Sequence, residues 1–163
     1  MKFWYLILVC CVWPAQQAAA ACVFSGNLSV FEPGIAQLAD DPSLPAPELE
    51  SLDVTRGLNG GASCDQMGFM SVKLRWPRGS RFDLDEIGFE YRLVQGSAPE
   101  GLVPSTPMTS PSSGRKAEHL ITWLDGTPAQ QQALNLLLEV RAVTPDRRRG
   151  PPMMVQVVAA PGS

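Results

Sequence analysis

The sequence predicts an all-β fold, an antiparallel sandwich of two sheets with about seven strands. Two observations carry this prediction. Apolar and polar residues alternate with a period of two in several segments, which is typical of strands with one buried face. The chain also contains 15 prolines and 14 glycines. Many of them lie between the apolar segments, as expected when short strands are joined by turns.

The candidate strands follow one another along the chain. Residues 23–31 are a possible extra strand near the N-terminus, and residues 49–55 are a short candidate. The three clearest strands have apolar faces that consist of Met70, Val72, Leu74 and Trp76, of Ile87, Phe89, Tyr91 and Leu93, and of Leu136, Leu138, Val140 and Ala142. Residues 118–124 and 153–158 complete the set. Each strand is expected to turn its apolar face toward one core.

The segments between the strands differ in character. Residues 40–47 are predicted to be a linker, and residues 97–114 to be a long surface connection rich in Ser, Pro and Thr. The only helix candidate is residues 128–134. It spans about two turns, which is too short for an independently stable helix, and it is predicted to be a loop.

The order of apolar landmarks from residue 47 to residue 158 resembles that of a fibronectin type III domain. The landmarks are Pro47, Leu52, Val54, Trp76, Tyr91, residues 120–123, Val140, Ala142 and Val143. The last hairpin, VRAVTPDRRRGPP, is the closest match, since those domains end in a similar strand, a Gly-containing turn and a final strand. Leu136 stands where that family usually carries its corner tyrosine, so a divergent immunoglobulin-like sandwich is equally compatible. The resemblance implies binding or spacing rather than catalysis.

The N-terminal segment has the three parts of an export signal. Lys2 is the charged start, residues 3–13 are apolar, and residues 18–21 are small. The apolar run is shorter than the roughly 20 residues that a spanning helix needs. The predicted organisation is a signal peptide (1–21), an N-terminal extension (22–46), a fibronectin type III-like sandwich (47–158) and a tail (159–163). We therefore expect an exported protein that is periplasmic, secreted or associated with the cell envelope.

Cys22 lies at the predicted cleavage boundary and has two incompatible interpretations. The other cysteine that stays in the mature chain is Cys64, and an even pair in an oxidising compartment favours a disulfide. Closing that loop would contribute about 4 kcal/mol in the chain-entropy model. Lipoprotein processing would instead make Cys22 an acylated first residue. Ala19 and the glutamines ahead of it depart from the lipoprotein pattern, so the disulfide is favoured, and a membrane is a predicted partner only if Cys22 is acylated.

The charge balance limits the classes of partner. The chain has 13 basic and 16 acidic residues, a formal net charge of −3. Loss of Lys2 with the leader makes the mature chain slightly more negative. This balance argues against nucleic acid as the principal partner. We expect no cofactor, and an unidentified envelope protein or polysaccharide as the partner.

The sequence predicts no catalytic residues, and we expect the protein not to be an enzyme. His119 is the only histidine, and it is expected to be an exposed strand residue. A zinc site of the usual kind is not available without a second histidine while Cys22 and Cys64 are paired. No Gly-x-Ser-x-Gly motif surrounds any serine, which makes hydrolase chemistry improbable.

The densest charge in the chain is the run Arg147, Arg148 and Arg149, at the turn of the final hairpin. Exposed loops at the end of a sandwich are common binding sites, so these arginines are a possible contact for an acidic ligand or a polysaccharide. The alternative is a solvated turn that keeps the hairpin soluble and discourages edge pairing. The second interpretation is favoured.

Two further polar segments are candidate sites. Asp83, Asp85 and Glu86 form a weak calcium candidate in a loop between two strands. They lack the spaced acidic pattern and central glycine of a calcium loop, so they are expected to solvate the loop instead. Residues 27–29, Asn-Leu-Ser, match a glycosylation acceptor.

Two functional hypotheses remain. The first is an exported, non-catalytic β-sandwich with a binding or structural role in the cell envelope. The second is a lipoprotein anchored through Cys22, with residues 40–47 as a tether, which supports a larger envelope assembly.

Overall fold

The computed structural model describes residues 26–60 and 64–163, which form two β-sheets around one core. The strands are β1 (Ser29–Val30), β2 (Ala39–Asp40), β3 (Glu48–Thr55), β4 (Met67–Arg75), β5 (Gly88–Gln95), β6 (Met108–Thr109), β7 (Ser112–Ser113), β8 (Lys116–Leu124), β9 (Leu134–Val143), β10 (Arg148–Arg149) and β11 (Met153–Ala159). The described part contains one short 3-10 helix, Leu84–Glu86, and no α-helix. None of its helices has the length and apolarity to span a membrane. The predicted all-β class is confirmed.

The strands divide between two sheets. The first sheet has the order β3-β4-β8-β7, and the second has the order β1-β6-β5-β9-β10-β2, with β11 also paired to β9. All pairs of long strands are antiparallel, and only the short pair β10 and β2 is parallel. The six long strands coincide with the predicted ones to within a few residues at their ends. Residues 128–133 form a turn and a loop that lead into β9, as predicted.

The core forms because alternate residues of each long strand face the opposite sheet. Met70, Val72 and Leu74 of β4 are fully buried, and Leu136, Leu138 and Val140 of β9 are as well. The Trp76 and Phe89 rings meet edge to face, with centroids 6.2 Å apart. The predicted apolar faces are therefore the faces that line the core.

Residues 40–47 are not a linker, which corrects the prediction. Strand β2 pairs in parallel with β10, where Ala39 lies opposite Arg148 and Asp40 opposite Arg149. The backbone N–H of Asp41 donates to the Arg149 carbonyl at 2.8 Å. Leu44 is only 3% exposed. This stretch is docked on the sandwich, so it cannot serve as the tether that the lipoprotein hypothesis used.

The segment that enters the described structure at residue 26 bridges the two sheets. The Asn27 side chain donates to the Glu118 carbonyl at 2.6 Å and accepts from the Leu120 N–H at 2.8 Å. It thereby pairs with the edge of β8 as a backbone peptide would. Two residues later, β1 pairs with β6 of the other sheet. Both polar atoms of its amide are therefore bonded to backbone.

The connection 97–114 is more ordered than a mobile surface loop. It contains β6 and β7, and Leu102 in its middle is fully buried in the core. Fixing Leu102 holds this long connection against the side of the sandwich.

Candidate functional site

The turn between β9 and β11, residues 144–150, carries the predicted ligand contact, and we call it the arginine hairpin. Its geometry depends on Thr144, which is fully buried. The Thr144 hydroxyl accepts from the Arg148 N–H at 3.0 Å, and it donates to the Asp146 carboxylate at 2.5 Å. The Thr144 carbonyl accepts from the Arg147 N–H at 2.9 Å. Arg147 adopts a left-handed backbone, with φ of 59°, which is uncommon outside glycine.

Two of the three arginines in this hairpin bind carboxylates of the same chain. Arg148 pairs with Asp41 at 3.0 Å and with Asp146 at 2.6 Å. Arg149 pairs with Asp40 at 3.0 Å. These ion pairs reinforce the parallel pairing of β10 with β2, so the hairpin holds the N-terminal extension on the sandwich. The predicted ligand role of the arginines stays a prediction, but Arg148 and Arg149 already have partners.

Asp41 is the centre of this cluster. Its carboxylate accepts from the Ser43 backbone N–H at 2.9 Å and from the Ser43 hydroxyl at 2.5 Å. It also pairs with Arg81 at 2.8 Å, in addition to Arg148. The Ser43 hydrogen bonds, aided by the charges of Arg148 and Arg81, hold the pKa of Asp41 below its usual value. These contacts therefore favour the charged form of the carboxylate.

Arg147 differs from its two neighbours. No ion pair joins it to a carboxylate within residues 26–60 and 64–163. Its Nε atom is buried and has no hydrogen-bond partner there. If the hairpin contacts an acidic ligand, Arg147 is the arginine whose charge the described chain leaves unused.

Asp41→Ala is expected to release the N-terminal extension without unfolding the sandwich. The substitution removes two ion pairs and the Ser43 hydrogen bonds, whereas the core strands are untouched. Limited proteolysis should cut residues 31–47 faster than in the parent protein, and hydrogen exchange should accelerate at the amides of Ala39 and Asp41. Asp85→Ala, which removes an exposed acid elsewhere, is the matched control and should leave both rates unchanged. Equal cleavage of the two variants would contradict the inference that Asp41 holds the N-terminal extension on the sandwich.

The opposite end of the sandwich is closed by a buried ion pair that the sequence analysis did not single out. Arg56 directly follows β3 and is 1% exposed, and Asp125 directly follows β8. The Arg56 Nε donates to Asp125 at 2.7 Å and its Nη2 donates at 2.9 Å, so the pair is bidentate. Such fork-to-carboxylate pairs combine two charge-assisted hydrogen bonds with fixed geometry.

Further hydrogen bonds satisfy the buried charges. Asp125 also accepts from the Gly57 N–H and from the Trp123 indole N–H, each at 2.9 Å. Arg56 also donates to the Gln132 carbonyl at 3.1 Å. Burial raises the pKa of Asp125, but the hydrogen bonds from Arg56, Gly57 and Trp123 outweigh it and hold the pKa below its usual value.

A cleft of about 220 Å³ lies beside this ion pair. Its walls come from residues 97–99 and 130–134, together with Arg56 and Asp125. The side chain of Gln131 is turned inward, where it donates to the Gly57 and Gly126 carbonyls. The polar groups of this cleft are therefore mostly committed to closing the end of the sandwich.

The acidic loop does not assemble a metal site. Glu86 accepts from the Asp83 N–H at 2.9 Å, and its own N–H donates to the Asp83 carbonyl at 3.2 Å. These contacts start the short 3-10 helix rather than point carboxylates at a common centre. Over residues 26–60 and 64–163, no group of three or more His, Cys, Asp or Glu side chains is placed to hold a metal ion. The structure thus gives the weak calcium candidate, Asp83, Asp85 and Glu86, no supporting geometry.

His119 is buried, which overturns the expectation of an exposed residue. It is 0% exposed and lies between the sheets, with its Nδ1 atom 2.7 Å from the Tyr91 hydroxyl and its ring 5.1 Å from that of Phe89. Its Nε2 atom has no partner in the described part of the chain. Burial lowers the pKa of His119 to about 4, and burial raises that of Tyr91.

Comparison with known proteins adds no relative. No family model matches the chain, and neither curated proteins nor solved structures include a significant match. Cys22 and the leader lie outside the described residues, so the disulfide between Cys22 and Cys64 stays a prediction.

Proposed function

We propose that the protein is an exported, non-catalytic β-sandwich module, fibronectin type III-like in strand order, with a binding or structural role in the cell envelope. The observation that carries this proposal is the division of its main strands. Strands β3, β4 and β8 pair in the first sheet, and strands β5, β6, β9 and β11 pair in the second. Immunoglobulin-like sandwiches divide their strands in this way. The binding or structural role is assigned by analogy with the fibronectin type III family.

The placement of polar groups also supports a role without catalysis. His119 is enclosed in the core and bonded to Tyr91, so it cannot take a proton from a substrate at the surface. Arg56 and Asp125 are bonded to each other and to backbone. These buried polar groups of the described structure therefore stabilise the fold. A binding role would then fall to the exposed surfaces.

Export is tested by the location of the chain in a Gram-negative host. The full chain should lose about 20 residues, as expected of a signal peptide, and appear outside the cytoplasm. A matched chain that begins at residue 22 should stay in the cytoplasm. Retention of the full, unprocessed chain in the cytoplasm would contradict the proposal.

The contacts of the N-terminal extension with the sandwich shorten the tether that the lipoprotein alternative can use. Residues 26–31 and 39–47 contact the sandwich, so only residues 22–25 separate an acylated Cys22 from the domain. An anchored sandwich would then lie against the membrane rather than extend from it. Palmitate labelling that persists after Cys22→Ala would exclude this alternative.

A further inference from the structure

Strand β11 forms an edge of the second sheet: no strand of the described chain is hydrogen-bonded to its outer side, although β3 of the first sheet passes close to it. Its seven residues pair with β9 in continuous register, from Met153 opposite Val140 to Ala159 opposite Leu134. No strand of residues 26–60 and 64–163 pairs with its other side. The Ala159 carbonyl accepts from Arg56 at 3.4 Å, but an edge of this kind leaves other backbone N–H and C=O groups available to another strand.

The other edges of the described sandwich are protected. The edge of β8 is covered in part by β7 and by the Asn27 side chain. On its outer side β5 pairs with the two-residue strand β6 at Phe89 alone, and the rest of that edge carries Glu90, Arg92 and a register shift after Leu93, which discourage pairing. The edge strand β3 carries Glu48, Glu50 and Asp53, and charges on an edge discourage pairing. Strand β11, with the sequence MMVQVVA, has no charge, no proline and no bulge.

The outward side chains of β11 are suited to a second β11. Met154 and Val158 are 45% and 68% exposed, and Gln156 lies midway between them. Antiparallel pairing of two β11 strands about a two-fold axis at Gln156 sets Met154 opposite Val158 of the second copy, and Gln156 opposite its own equivalent. No like charges meet, and each contact is made twice, as a two-fold interface requires.

We propose that the protein forms a two-fold dimer by antiparallel pairing of β11 with β11 of a second copy. The second sheet of one copy then joins the second sheet of the other copy, which gives one continuous sheet across the dimer. An edge of seven residues buries less than the roughly 1,600 Å² of a standard interface, so the dimer is weak and reversible. This inference does not depend on export or on the proposed envelope role.

Sedimentation equilibrium of the purified protein tests the dimer. The parent protein should follow a monomer–dimer equilibrium, and Gln156→Lys should raise its dissociation constant by about tenfold or more, because two lysines meet at the axis. Thr122→Lys makes the same charge change on the outer face of β8 and should leave the constant unchanged. Thermal unfolding of both variants checks that they are folded. A monomeric parent protein, or equal constants for the two variants, would overturn the proposal.

A cysteine at the axis tests the register. The residues opposite each other in an antiparallel pair have Cα atoms about 4.5–5.5 Å apart, which a disulfide can join. Under mild oxidation, Gln156→Cys should give a reducible covalent dimer at a level well above that of the parent protein, and Thr122→Cys should not. If Gln156→Cys and Thr122→Cys cross-link equally, the proposed pairing is wrong.

Discussion

Asp125→Ala is expected to destabilise the folded protein by about 3–5 kcal/mol, because it leaves a buried guanidinium without its counter-charge. Arg56 is 1% exposed and directs two of its nitrogens at this carboxylate. The variant also leaves the Gly57 and Trp123 N–H groups without their hydrogen-bond acceptor. Chemical denaturation at neutral pH measures the free energy of unfolding of each variant.

Two matched variants separate the charge effect from the loss of an acid. Asp53→Ala removes an exposed carboxylate from β3 and should change the free energy of unfolding by no more than about 0.5 kcal/mol. The double variant Arg56→Met/Asp125→Leu removes both charges together and should recover part of the lost stability, because no unpaired charge stays buried while the Gly57 and Trp123 N–H groups still lack their acceptor. If Asp125→Ala costs no more than Asp53→Ala, the ion pair does not close this end of the sandwich.

The second large effect is a loss of stability as the pH falls from 6.5 toward 4. The pKa of His119 is about 4 in the folded chain and near 6.5 when the chain is unfolded, so the unfolded chain binds the proton first. Stability contributed by the neutral histidine is complete above pH 6.5 and declines as the pH falls through this window. The difference between the two pKa values corresponds to about 3 kcal/mol.

His119→Leu should abolish this pH dependence. The variant loses the partner of the Tyr91 hydroxyl, which costs about 1–3 kcal/mol at every pH, but it has no imidazole in the core to take up a proton. Free energies of unfolding measured between pH 7 and pH 4 should therefore decline more steeply in the parent protein than in the variant. Parallel curves would show that His119 does not carry the pH dependence.

The alternation of residues in β8 and β3 predicts the inward placement of the polar groups that close this end of the sandwich. The inward positions of β8 are Ala117, His119, Ile121 and Trp123, and the next position of the same period is Asp125. In β3, the inward positions Leu52 and Val54 lead to Arg56 in the same way. The pattern thus placed His119, Arg56 and Asp125 inside. The general preference of His, Arg and Asp for solvent argued the other way, and it fails where a polar group finds a buried partner.

The role of the arginine hairpin could not be predicted locally. Read alone, Asp146 and the three arginines describe an exposed turn. Their partners Asp40 and Asp41 are more than 100 residues away in the sequence, and the parallel pair that brings them together is only two residues long. A pair this short leaves no periodic signal, and the prolines beside it suggest a linker.

The intact mass of the processed protein, measured with and without reduction and alkylation, tests the account most directly. We expect a chain that begins at or next to Cys22, with the thiols of Cys22 and Cys64 masked until reduction. That result would show that the leader is removed and that a disulfide links the first residues of the mature chain to the sandwich. A chain that keeps residues 1–21 with both thiols free would contradict the account, and a mass increased by acyl chains would replace the disulfide with a lipid anchor.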